Sequence, residues 1–182
     1  MKRIFYITGN RYKFKNAKIY ADKLGFGLVQ KKLRIKEIQS DSIENIVKDK
    51  AKQAFEVLKK PLIVSDSGWN IPSLKGFPGP YMHYINQWLE AEDFLSLMKG
   101  KKDKSIILEN IICAISSKGS KLFKQIIKGK FVNRPKGIGL SSDRVVVLGK
   151  SKYTIAEAQN NNKESVDGTN LWKKAYQWLK KN

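Results

Sequence analysis

Two short stretches hold the residues that could do chemistry. In one, Pro61-Leu62-Ile63-Val64 runs straight into Ser65-Asp66-Ser67-Gly68, which predicts a short buried strand that stops at a carboxylate. An unpaired charge beside an apolar strand costs several kcal/mol, so Asp66 calls for a cation or a set of hydrogen-bond donors. The glycines and prolines of Gly76-Phe77-Pro78-Gly79-Pro80-Tyr81 then impose a rigid turn. In the other stretch, Arg3 to Thr8 predicts a strand, Gly9-Asn10 breaks it, and a helical pattern follows from Lys13 to Leu24. A helix N-terminus at a strand end presents free N–H groups and the positive end of a dipole, a seat for phosphate, with Lys13 in its first turn. The glycine spacing of a P-loop is absent. The plainer alternative is an ordinary strand, turn and helix start with Asp66 as a cap.

Other elements must position these groups. Leu28 to Ile35 predicts a second strand. Ile43 to Leu58 predicts a helix whose apolar positions Ile43, Ile46, Val47, Ala51, Ala54, Phe55 and Leu58 face the sheet. Lys48, Lys52 and Glu56 fall on its solvated face, whereas Lys50 stands at the apolar edge, where it can point into a cleft. Beyond the central turn the pattern predicts a helix over 87–98 and a hairpin of strands 105–116 and 122–132. A loop from Gly137 to Asp143, a strand over 145–148, a segment from Tyr153 to Ala158 and a final helix over 170–179 complete the chain. This alternation predicts a mixed α/β fold.

At 182 residues and 41% hydrophobic content the chain can bury one good core, as one domain or two closely joined lobes. It has no run of eighteen apolar residues and opens on a strand-like segment, so a cytoplasmic protein with no membrane partner is expected. Cys113, the single cysteine, lies in an apolar run and reads as core. With His83 the single histidine, a Cys/His zinc site is excluded. A net charge of +20 favours polyanionic partners. The lysines are spread along the chain without interleaved aromatic residues, so nucleic acid is possible but not favoured.

Ile7-Thr-Gly-Asn-Arg-Tyr-Lys13 resembles the T-G-N-x-x-K opening of the inosine triphosphate pyrophosphatase family, whose members hydrolyse non-standard purine nucleoside triphosphates to monophosphate and pyrophosphate. VSDSGWNIPSLKGFPGPY, from Val64 to Tyr81, resembles the family's acidic strand end and G-x-P-G-x-Y turn. DRVVVLGKSKYTIAEA, from Asp143, resembles the segment after its glycine-aromatic loop. The resemblance covers nearly the whole chain. It implies an elongated mixed β-sheet with flanking helices, one domain over residues 1–182 whose two lobes surround a central cleft, and a Mg²⁺-dependent enzyme that forms a homodimer. By position, it implies that Thr8, Gly9, Asn10, Lys13 and Lys50, with Ser67 and Gly68, bind the substrate, Thr8, Asn10, Lys13 and Lys50 through its phosphates. Glu37 and Asp66 are the implied metal carboxylates, Asp66 and Lys13 the catalytic pair, and Asp143 and Lys163 residues of the nucleoside pocket. Such a site suits a phosphoanhydride, whose charge must be neutralised and whose attacking water must be placed in line.

Three departures bear on function. Ser65 stands where the family has a second acidic residue. Ile138, Leu140 and Ser142 replace the aromatic loop, and Asp167-Gly168-Thr169 replaces the Ser-His-Arg that reads the purine 6-keto group. Asp167 could accept a hydrogen bond from an exocyclic amine, or simply cap the last helix. Two expectations follow: an active nucleoside triphosphate pyrophosphatase with altered base preference, or a catalytically impaired nucleotide- or nucleic-acid-binding protein on the same fold. Glu37, Asp66, Lys13 and Lys50 favour the enzyme. The aromatic residues Phe77, Tyr81, Tyr84 and Trp88 are candidates for a dimer interface or for core.

Overall fold

The computed structural model describes residues 3–163 and 166–182. Seven strands form one sheet, in the order β2-β1-β3-β5-β6-β7 with β4 on β3: β1 (Arg3–Ile7), β2 (Gly27–Lys31), β3 (Leu62–Asn70), β4 (Pro78–Gly79), β5 (Ser105–Ser116), β6 (Gly119–Phe131) and β7 (Val146–Leu148). β1 is parallel to β2 and β3, whereas β4 and β7 run antiparallel to β3 and β6. Six helices accompany them: α1 (Arg11–Lys23), α2 (Ile43–Leu58), α3 (Met82–Trp88), α4 (Ala91–Leu97), α5 (Ile155–Asn160) and α6 (Thr169–Lys181). The fold is mixed α/β, as expected.

The chain divides into two compact units. The first comprises Met1–Ser67, Asn110–Gln125 and Gly168–Asn182, and the second Gly68–Glu109 and Ile126–Asp167. In the first unit the period-two alternation of strand side chains builds two cores, one on each face of the sheet. Ile4, Tyr6, Ile63, Ile112 and Ala114 meet Ala17, Tyr20 and Ala21 of α1 and Trp172, Ala175, Tyr176 and Leu179 of α6. Ile7, Leu62, Val64, Ile111 and Cys113 meet Ile43, Val47, Ala51 and Ala54 of α2. Cys113 is core, as its surroundings in the sequence suggest. The second unit closes around Met82, Phe94, Met98, Ile106, Phe131, Val146 and Ile155.

The structure corrects several boundaries. β3 does not stop at Asp66 but continues to Asn70, because Trp69 and Asn70 find a partner in Pro78-Gly79. β2 ends at Lys31, and residues 32–42 carry no regular structure. The helix expected over 87–98 is two helices, separated where Glu90 leaves the helical conformation and forms a reciprocal capping box with Asp93. The segment after Tyr153 is α5, started by a capping box of Thr154 and Glu157. No helix among the described residues is long and apolar enough to cross a membrane.

Candidate active site

Strand parity sets the site. Asp66 has the same parity as Leu62 and Val64, so it follows them onto the face covered by α2, where Lys50 waits at the edge of the apolar stripe. Lys50 Nζ lies 2.9 Å from Asp66 Oδ2 and also pairs with Glu37. Lys13 Nζ lies 2.8 Å from Asp66 Oδ1, and the Ser67 amide donates to the same oxygen at 2.9 Å. The cation and donors that the sequence demands for Asp66 are therefore all present. Burial alone would raise the Asp66 pKa, but the two ammonium groups outweigh it and hold the carboxyl at about 2. Burial alone would lower the Lys50 pKa, and the two carboxylates outweigh that, raising it. Asp66 and Glu37 converge on one ammonium group, so two carboxylates stand within reach of a common cation. Among the described residues no cluster of three metal-ligating side chains exists. A pair of carboxylates nevertheless fits Mg²⁺, which keeps several waters and takes its remaining oxygens from substrate phosphates.

A pocket of about 280 Å³ opens beside this cluster, lined by Thr8, Gly9, Asn10, Lys13 and Lys50, with Leu33, Ile35, Val64 and Ser65. The end of α1 is less open than expected. Asn10 caps its own helix, its Oδ1 accepting from the Tyr12 and Lys13 amides at 2.9 and 3.0 Å, while its amide donates to Thr8 Oγ1. The Gly9 and Arg11 amides remain without an intramolecular partner among the described residues. Ser67 turns its hydroxyl to Asn110 Oδ1 at 2.8 Å. Gly68, the next residue of β3, begins the second unit.

Ser65 has the opposite parity to Asp66. Its hydroxyl shares a 2.6 Å hydrogen bond with the Tyr6 hydroxyl, which burial pushes up to about 12. No local pattern signals this contact, because it joins two strands across 59 residues. A parity count on β1 and β3, had their pairing been known, would have found it.

The remaining expected residues form no single cluster. In the second unit Asp143 is buried in a short 3₁₀ turn, its carboxylate accepting from Gln159 at 3.4 Å and from the Ser142 hydroxyl at 3.5 Å. Burial raises its pKa to about 6, only partly offset by these long contacts. The folded value lies above the ordinary 3.8, so the native state loses stability as pH rises through this interval, and the full cost is present above about 6. Asp143→Asn is therefore expected to stabilise the protein at pH 8, by on the order of 3 kcal/mol. The gain should shrink to about a third at pH 4.5 and vanish below the ordinary value of 3.8, and melting curves across this range check this. Lys163 is exposed and donates to the Tyr153 hydroxyl at 3.0 Å, with its ammonium 4.1 Å from that ring's centre. The loop at Gly137 has φ of +80°, and a Cβ there would meet the Glu157 amide nitrogen at 2.7 Å, so glycine lets the loop lie against α5. Ile138 and Leu140 of this loop remain exposed, at 84% and 57%.

Asp167 is exposed at the end of the second unit. The N-cap position of α6 falls on Gly168 and not on Asp167. The Gly168 amide donates to the Tyr20 hydroxyl at 3.1 Å, and a Cβ at 168 would lie only 3.1 to 3.2 Å from the Tyr20 ring. A side chain at 168 would therefore need the Tyr20 ring to give by a few tenths of an ångström.

Comparison with known proteins gives the chain's family. A model of the Ham1 family matches residues 4–181. A dITP/XTP pyrophosphatase of Saccharolobus solfataricus is 31% identical over 156 residues, 85% of this chain and 81% of its own. One from Pyrococcus horikoshii is 29% identical over 182 residues, 99% of this chain and 98% of its own. Among solved structures, the Staphylococcus aureus Ham1 protein superposes with a TM-score of 0.78 at 19% identity, covering 99% of this chain and 98% of that one, which speaks to the fold. With a family model spanning all but the chain's ends and relatives similar along most of its length, the chain belongs to the Ham1 family.

Proposed function

We propose that this chain is a Mg²⁺-dependent pyrophosphohydrolase of non-standard nucleoside triphosphates, acting as one domain and releasing nucleoside monophosphate and pyrophosphate. Similarity to dITP/XTP pyrophosphatases supports the reaction class. The observation that carries the site is Asp66 held between Lys13 and Lys50, with Glu37 on the same Lys50. Asp66 and Glu37 are the residues that would hold Mg²⁺, which when bound neutralises charge on the phosphate oxygens. Lys13 and Lys50 exchange their carboxylate partners for phosphate oxygens, and the free amides of Gly9 and Arg11 add donors at the helix start. Asp66, ionised at any pH well above 2, accepts a hydrogen bond from the attacking water and orients it. Asp143 and Lys163 serve the nucleoside.

The test is a panel of inosine, deoxyinosine, xanthosine and adenosine triphosphates assayed for pyrophosphate. Pyrophosphate release from the first three is expected. Orthophosphate as first product, or no turnover at all, would refute the reading and leave a nucleotide-binding protein. Gly168 and Thr169 supply no pair of strong donors for a 6-keto oxygen, so the preference for inosine over adenosine should stay below about a hundredfold, short of what a hydrogen-bonded reader gives.

The second unit supports a homodimer. Phe77 packs partly into its core, but Tyr81, Tyr84 and Trp88 are 42%, 53% and 71% exposed, with the Tyr84 and Trp88 rings 6.1 Å apart. Aromatic groups left in water at such density suit an interface. Light scattering at micromolar concentration should give a dimer, and Trp88→Glu a monomer.

A further inference from the structure

The chain's charge is unevenly placed. The first unit holds 23 of the 36 Lys+Arg but only 7 of the 16 Asp+Glu. Inside its pocket, Lys13 and Lys50 are already matched by Asp66 and Glu37, so the surplus lies elsewhere. Part of it stands on the segment after β2, where burial alternates. Leu33 and Ile35 line the pocket and pack against the α2 core, while Lys32, Arg34 and Lys36 are exposed. The two apolar residues hold the segment in register, so the three cations stand at fixed intervals beside the pocket instead of on a loose loop. None of the three has a carboxylate partner among the described residues. Unmatched cations flanking the pocket proposed above for phosphate raise the local concentration of polyanions and lengthen the run of negative charge that can be held.

The base side shows the reverse. Gly168 contributes no side chain, and the Tyr20 ring packs closely beside it. Recognition in this protein is therefore weighted toward the phosphate chain, whose lysines and pocket lie within the first unit. We infer that linear inorganic tripolyphosphate is a substrate of the same site, with Lys32, Arg34 and Lys36 as its additional binding residues. The inference rests on the pyrophosphohydrolase reading above and extends its substrate class beyond nucleotides. The reaction keeps the same balance. Water attacks a terminal phosphorus, the bond from that phosphorus to the bridging oxygen breaks, and pyrophosphate leaves with the bond's electron pair. One water yields orthophosphate, pyrophosphate and, near neutral pH, a released proton.

The experiment compares kcat/KM for tripolyphosphate and for deoxyinosine triphosphate with Mg²⁺. It also measures tripolyphosphate binding by calorimetry on metal-free protein, wild type and Lys32→Ala/Arg34→Ala. Turnover of tripolyphosphate within about a hundredfold of the nucleotide is expected, the range left when no hydrogen-bonded base reader operates. The double variant should weaken tripolyphosphate binding about tenfold, as two exposed cations acting together allow. Nucleotide turnover with tripolyphosphate slower than that limit would overturn the inference and leave the nucleotide reading intact. Tripolyphosphate turnover without nucleotide turnover would do the opposite, and failure of both substrates would remove both. Unchanged binding by the double variant would also overturn the inference, since the ridge would then hold nothing.

Discussion

Asp66→Asn is expected to lower kcat/KM for any nucleoside triphosphate by about a thousandfold, with kcat bearing most of the loss. The substitution keeps the shape of the side chain and removes its charge. Lys13 and Lys50, now held by Asp66 at 2.8 and 2.9 Å, would be left with Glu37 as the one acidic partner in the cluster. The cation site would lose one of its two carboxylates, and the water would lose its acceptor. Steady-state kinetics on the purified variant, with circular dichroism to show that it is folded, decide the matter. A variant with kcat close to the wild type would place the chemistry elsewhere. The wild-type carboxyl also carries its own pH signature. Its folded pKa of about 2 lies below the ordinary 3.8, so the stability it contributes is present above that value and is lost as pH falls through about 2.

Withdrawal of divalent cation should act as strongly. Two carboxylates balance two ammonium groups in the cluster, so it is close to neutral before substrate arrives. A triphosphate brings several negative charges into that neutral setting, and the lysines can meet them only by abandoning Asp66 and Glu37. Those carboxylates would then face phosphate oxygens directly unless a cation lies between. Activity after exhaustive chelation is therefore expected to fall to about a thousandth and to return on adding Mg²⁺. Isothermal titration of Mg²⁺ into Glu37→Gln should show weaker binding than into wild type. Full activity in excess chelator would exclude the assignment of Glu37 and Asp66 as metal carboxylates.

How far the sequence reached can be judged from particular residues. The period of α2 was plain, and Ile43, Ile46, Val47, Ala51 and Ala54 are all buried where a 3.6-residue repeat puts them. The same periodicity placed Lys50 at the edge of the apolar stripe, one step from finding its partner. What it lacked was the parity of β3, since Ser-Asp-Ser-Gly reads as a strand end by composition and becomes strand only inside the sheet, where β3 lies between β1 and β5. For the same reason the Ser65 to Tyr6 contact was invisible. The split of the helix at Leu89-Glu90 was local, but an apolar count outweighed the capping signal there. Asp143 and Lys163 were assigned through resemblance alone, and each has its own surroundings in the second unit, whereas Asp167 stands at a departure from the family and was read from carboxylate chemistry.

Cys113, on β5 and sealed beneath α2, gives the molecule a built-in clock. Its thiol is 1% exposed, and burial pushes it up to about 11, so in the closed protein it is neither reachable nor nucleophilic. It is also the one thiol in the sequence. A thiol-reactive dye therefore labels each chain once, and only after the core facing α2 has opened. The labelling rate in native buffer then measures how often that core breathes, and slowing by bound nucleotide or tripolyphosphate would report how firmly the occupied pocket locks Lys50, and with it α2, in place.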